Sequence, residues 1–81
     1  MAHDGIEISH EGNAARGEYR ARVAGSDAIG RLTWKALGPA RVADHTLVPP
    51  EIGGRGVAAA LVEALIADAR AEGFTVVPQC S

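Results

Sequence analysis

Cysteine occurs once in the sequence, at Cys80, and tryptophan, tyrosine and phenylalanine occur once each. A single cysteine excludes a disulfide framework and leaves no four-ligand zinc cluster. With so few aromatic residues, the core has to be built from aliphatic side chains. No run of lysine or arginine occurs and the formal charge is −2, so the dense basic face that nucleic acid requires is missing. No apolar stretch approaches the roughly 18 residues of a membrane-spanning helix, and no charged-then-apolar leader opens the chain. A cytoplasmic location is therefore expected, with no membrane partner. At 81 residues the expectation is one domain with one modest core, because a chain this short buries only roughly 60–65% of its unfolded surface.

What the sequence does contain is two kinds of periodicity. Residues 1–17 are polar and loosely patterned; Ile6 and Ile8 suit a short strand, but Gly5, Gly12, Asn13 and Gly17 argue against a long one. Tyr19, Ala21 and Val23 then alternate with Glu18, Arg20 and Arg22, and Gly30, Leu32 and Trp34 alternate with Arg31, Thr33 and Lys35. That period of two predicts half-buried strands with the arginines and Lys35 outward and Trp34 in the core. Gly25-Ser26-Asp27 and Leu37-Gly38-Pro39-Ala40 read as turns, and a third strand is expected over residues 41–48, ended by Pro49-Pro50. From Val57 the period changes. Val57, Leu61, Leu65 and Ala69 form a helical stripe, with Val62 and Ile66 expected to widen it and Glu63, Asp68, Arg70 and Glu72 expected in solvent. Gly73 is the expected stop, and residues 74–77 read as a short buried strand. Strand, turn, helix and strand in this order make a βαβ unit with parallel flanking strands. The fold class expected is α+β: a mixed four- to five-stranded sheet, an antiparallel meander first, with one long helix.

Between the third strand and the helix lies Gly53-Gly54-Arg55-Gly56-Val57-Ala58. Glycines here allow positive φ and a close backbone approach, and the helix start adds unpaired N–H groups and the positive end of its dipole. A phosphate or pyrophosphate suits such a place, with Arg55 adding a charge-assisted contact; the plain alternative is a flexible connection that binds nothing. The segment matches neither GxxxxGK[ST] nor GxGxxG.

Taken together, His45-Thr46-Leu47-Val48-Pro49, the turn from Gly53 to Gly56, the helix and Pro78-Gln79-Cys80 resemble the coenzyme A-binding core of GCN5-related N-acetyltransferases, and more narrowly the minimal, YjdJ-type acetyltransferase-like family. The resemblance is close over residues 44–80 and loose from Tyr19 to Ser81. It implies that acetyl-coenzyme A is the cofactor, bound by Thr46, Leu47, Val48, Gly53, Gly54, Arg55, Gly56, Val57 and Ala58. The superfamily pattern places Gln or Arg where Gly53 stands, so one side-chain contact is missing, while Gly56 and Ala58 match. Relatives continue with a further short helix, which raises the expectation of a truncation after Ser81.

The resemblance further implies a pantetheine arm lying between two splayed strands, residues 44–48 and 75–80, with the thioester near His45 and Cys80. Histidine suits a base that takes the proton of an amine. Cys80 would protonate the departing thiolate or be acetylated itself; by themselves, a lone histidine in a strand and a lone cysteine near a chain end are more often structural. Adjacent strand residues point to opposite faces, so Asp44 is not expected to orient His45. His3 and His10 show no metal-ligand spacing and read as solvated surface; no metal site is expected. Transfer of acetyl to a primary amine, on a small molecule or a protein, is the leading expectation. The alternatives are a non-catalytic acyl-coenzyme A-binding or interaction module, and a structural fragment that binds nothing. The acceptor and the oligomeric state are not legible.

Overall fold

The computed structural model describes residues 5–79 of the chain. Five strands, β1 (Ile6–Gly12), β2 (Arg16–Val23), β3 (Ile29–Leu37), β4 (Ala40–Leu47) and β5 (Thr75–Pro78), lie side by side in chain order. A 3₁₀ turn (Pro50–Ile52) and one helix, α1 (Val57–Glu72), connect β4 to β5. The first four strands pair antiparallel, and β5 joins β4 in parallel, as a crossover through a helix requires. The architecture is the expected α+β arrangement of one open mixed sheet and one helix.

Alternation decides which sheet face is covered. Tyr19, Ala21 and Val23 of β2 and Leu32 and Trp34 of β3 point inward and are buried. Against them α1 lays Val57, Ala60, Leu61 and Leu65. The residues between them on β2 and β3, among them Glu18, Arg20, Arg31 and Lys35, occupy the face that α1 does not cover. No helix among the described residues is long and apolar enough to cross a membrane. The helix ends where expected: Gly73 takes φ 82°, and its N–H bonds the carbonyl of Ala69 at 2.8 Å.

Two expectations are corrected. Within the opening segment residues 6–12 are not loose, because β1 pairs with β2 from Ile6↔Val23 to Gly12↔Gly17, and Ile6 and Ile8 pack on the core. The residues that suggested looseness build the hairpin: the Asn13 side-chain oxygen accepts from the N–H groups of Ala15 and Arg16 at 2.8 and 3.1 Å. The apolar stripe of α1 is also narrower than expected. Val62 and Ile66 remain 39% and 38% exposed, because the helix rests on a single sheet and Ala60 takes the inward place beside Leu61.

Candidate functional site

The end of β4 carries an irregularity. Thr33 pairs with His45 and Trp34 with Ala43, so Asp44 is an extra residue, a β-bulge. The bulge overturns the alternation assumed for Asp44 and His45. His45 shares the open face with its partner Thr33, and Asp44 reaches the same face, accepting from the Thr33 hydroxyl at 2.7 Å with Lys35 Nζ at 3.6 Å. The Thr33 hydrogen bond, helped by Lys35 and opposed by desolvation, holds the Asp44 carboxyl below the usual carboxylate range. Its oxygens are thus engaged by Thr33 and Lys35, while His45 stands exposed beside them.

Over the described residues β5 pairs with β4 up to the residue before the bulge. The parallel ladder runs from Ala40↔Thr75 to Ala43↔Pro78 and closes with the Gln79 N–H on the Ala43 carbonyl at 3.0 Å. β4 runs on past that point through the bulge to Leu47, which is half exposed, and Val48, which packs on the core. Thr46 pairs with the buried Leu32 and so shares its sheet face, that of α1. Cys80 lies outside the described residues, as does His3.

The chain then turns through Pro49 and Pro50 to Ile52, which is fully buried. Sequence reasoning missed this anchor, although Ile52 is the only large apolar residue between Pro50 and Gly56. From that fixed point Gly54 and Gly56 take φ 76° and 77°, with open space where a Cβ would stand. Gly53 has an ordinary φ of −66°. Gly56 begins α1 without a side-chain cap among the described residues, and the first turn holds no acidic residue. The first helical bond runs from the Ala60 N–H to the Gly56 carbonyl at 2.9 Å, so the N–H groups of Val57, Ala58 and Ala59 precede the ladder. Uncapped donors, a positive dipole end, exposed Arg55 and glycines with room above them suit an anionic group. Val57 is 2% exposed, so only its backbone is available there.

Behind the site, Tyr19 donates to the Asp68 carboxylate and so ties β2 to α1. Asp68 is therefore turned inward, against the expectation of a solvent position. His10 is exposed, as expected, but its ring is also engaged: it stacks on Tyr19 at 4.1 Å between ring centroids and accepts from the Trp34 indole N–H at 3.0 Å. The Arg41 guanidinium lies 4.0 Å from the ring centroids of both Trp34 and Phe74.

A family model described as GCN5-related N-acetyl-transferase matches residues 18–81. No curated protein and no solved structure matches the chain.

Proposed function

The chain belongs to the GCN5-related N-acetyltransferases, and on that premise we propose that it transfers an acetyl group from acetyl-coenzyme A to a primary amine. The observation that supports this reading most is the end of β4: past the Asp44 bulge the strand leads into an uncapped, glycine-flanked helix start. In this reading the N–H groups of Val57 and Ala58, with Gly53, Gly54, Arg55 and Gly56, hold the pyrophosphate. The Thr46, Leu47 and Val48 segment runs along the pantetheine arm. When bound, the cofactor supplies an activated acyl group as a thioester. His45, exposed on the open face, accepts the proton that the attacking amine must lose, and Thr33 and Lys35 keep the Asp44 carboxylate from competing for it. Cys80 supplies the proton that the departing thiolate takes up.

Thermal unfolding with acetyl-coenzyme A, beside isothermal titration, tests the proposal. Ligand at about 100 times its dissociation constant stabilises the native state by about 2.7 kcal/mol, a rise on the order of 10 °C for a domain of this size. Gly56→Glu and Arg55→Glu should each weaken the rise. The second variant imposes no backbone strain, so it separates binding from folding. Neither heat nor a melting shift from the folded wild-type chain would refute the acetyltransferase reading. A shift without product from any amine would leave a binding module.

A further inference from the structure

A shallow cavity of about 570 Å³ opens on the sheet face that α1 leaves bare, lined by Glu11, Arg16, Glu18, Lys35 and Asp44, with Trp34 also in its lining. It begins at the β4 bulge, whose Asp44 shares this face with His45, and crosses β3 and β2 to β1. Its volume falls in the range that holds small molecules. His45 is not part of the lining, but it pairs with Thr33, which is, so the exposed histidine stands at the β4 edge of the cavity.

The charges in it are unevenly matched. Glu18 Oε2 accepts from Arg20 Nε at 2.6 Å and Arg31 Nη1 at 2.8 Å. Glu11 is met by Arg20 at 3.1 Å, and Asp44 by Thr33 at 2.7 Å and Lys35 at 3.6 Å. Every lining carboxylate therefore has a partner already, and a bare diamine would find no unmatched negative charge. Arg16 is different: no carboxylate among the described residues holds its guanidinium. Register places Arg16 opposite Lys35, one alternation along the sheet from the row formed by Glu18, Thr33 and His45. With about 7 Å along the strands and about 10 Å across two of them, Arg16 in the lining stands about 12 Å from His45 at the β4 edge of the cavity.

Building on the acetyltransferase reading, we infer that this cavity is the acceptor site and that it selects amines bearing a carboxylate several bonds from the nitrogen. The carboxylate pairs with Arg16, with Lys35 beside it, and the amine lies at His45. A guanidinium that meets a carboxylate with two parallel N–H donors fixes the orientation of the whole molecule. ω-Amino acids and the side-chain amine of free lysine belong to this class; alkyl diamines do not.

Isothermal titration reads the occupancy of the cavity directly, because the side chain of the one tryptophan, Trp34, is buried on the other face. The chain, saturated with coenzyme A, is titrated with 6-aminohexanoate and separately with hexylamine. The expected result is a saturable heat with 6-aminohexanoate at least about tenfold tighter than with hexylamine, a preference erased in Arg16→Ala and partly kept in Arg16→Lys. Arg16 is exposed, so neither variant threatens the fold. Equal responses to the two compounds, no saturable response to either, or an undiminished preference in Arg16→Ala overturns the inference. The acetyl-coenzyme A melting shift, read on the same samples, separates the two failures. If it is present, only the acceptor assignment falls; if it is absent, the transferase reading falls and the acceptor assignment with it.

Discussion

Replacing Gly30 by alanine should drive a methyl group into the first turn of α1. A Cβ at this position would stand 2.6 Å from Val57 Cγ1 and 3.5 Å from Leu61 Cδ1. Carbon atoms rest about 3.5–4.0 Å apart, so about 1 Å must be found. Val57 cannot swing aside, because a β-branched side chain in a helix keeps essentially one rotamer. The helix start must lift instead. Removing a glycine from a strand would by itself stabilise the fold by about 0.4–1 kcal/mol through the unfolded chain, whereas overpacking costs about 1–3 kcal/mol. The clash therefore wins, and the melting temperature should fall by on the order of 10 °C. The lifted turn also carries the N–H groups assigned to the pyrophosphate, so acetyl-coenzyme A affinity should fall with it. Val57→Ala removes the struck methyl. In the double variant the loss should be smaller than the sum of the two single losses by at least about 1 kcal/mol. Urea and thermal denaturation of the four proteins measure this cycle. Wild-type stability in Gly30→Ala, or strict additivity in the double variant, would refute the account of how helix and sheet are fitted.

Three further variants have expected outcomes. Tyr19→Phe leaves the half-buried Asp68 without its donor, and a hydrogen bond to a charged group is worth about 1.5–3 kcal/mol; a loss of that size should appear in urea unfolding. Burial, then the Asp68 bond, pushes the Tyr19 phenol up. The folded state thus holds this proton more tightly than the unfolded chain. The resulting stability is whole below about pH 10 and falls as pH rises beyond it, and Tyr19→Phe should flatten that alkaline decline. The Glu18 carboxyl is held low by the Arg20 hydrogen bond first and then by Arg31. Its contribution is present above about pH 4.3 and is lost as pH falls through the folded value, so Glu18→Gln should show a shallower drop in urea midpoint between about pH 5 and pH 3. His45→Ala should lower acetyl transfer by about 10²–10⁴ while the melting rise with acetyl-coenzyme A stays intact; transfer at the wild-type rate would remove His45 from the mechanism.

The helix was legible to the residue, because a period of 3.6 from Val57, a run of alanines and a terminal Gly73 are all local signals. The strands with clean alternation, β2 and β3, were legible for the same reason. β1 was not: its glycine and polar residues resemble a loop, and only pairing with β2 and the packing of Ile6 and Ile8 make it a strand. The inward turn of Asp68 and the stacking of His10 both depend on Tyr19, far from Asp68 in sequence and across the hairpin from His10, and no periodicity reports such a meeting. The bulge at Asp44 was hidden because one extra residue in a ladder leaves no compositional trace. For the site, the glycine turn was readable from residue types alone, whereas the cavity on the bare face required the register of four strands.

The sheet keeps the order of the chain, so β1 to β4 close by short turns, and only β5 waits for a helix to cross over before it can pair. Contacts between distant segments form late and carry a larger closure entropy. Among the described residues the β5 ladder is also short, with four residue pairs against seven between β3 and β4. Partial opening of the molecule should therefore start by releasing β5 from an intact meander. In the proposed function the pantetheine arm of acetyl-coenzyme A lies along that same seam, against β4 and β5. A molecule lodged in it staples the last-formed strand to the first-formed unit, and amide exchange in Val76 and Val77 should slow well before that of β2 does.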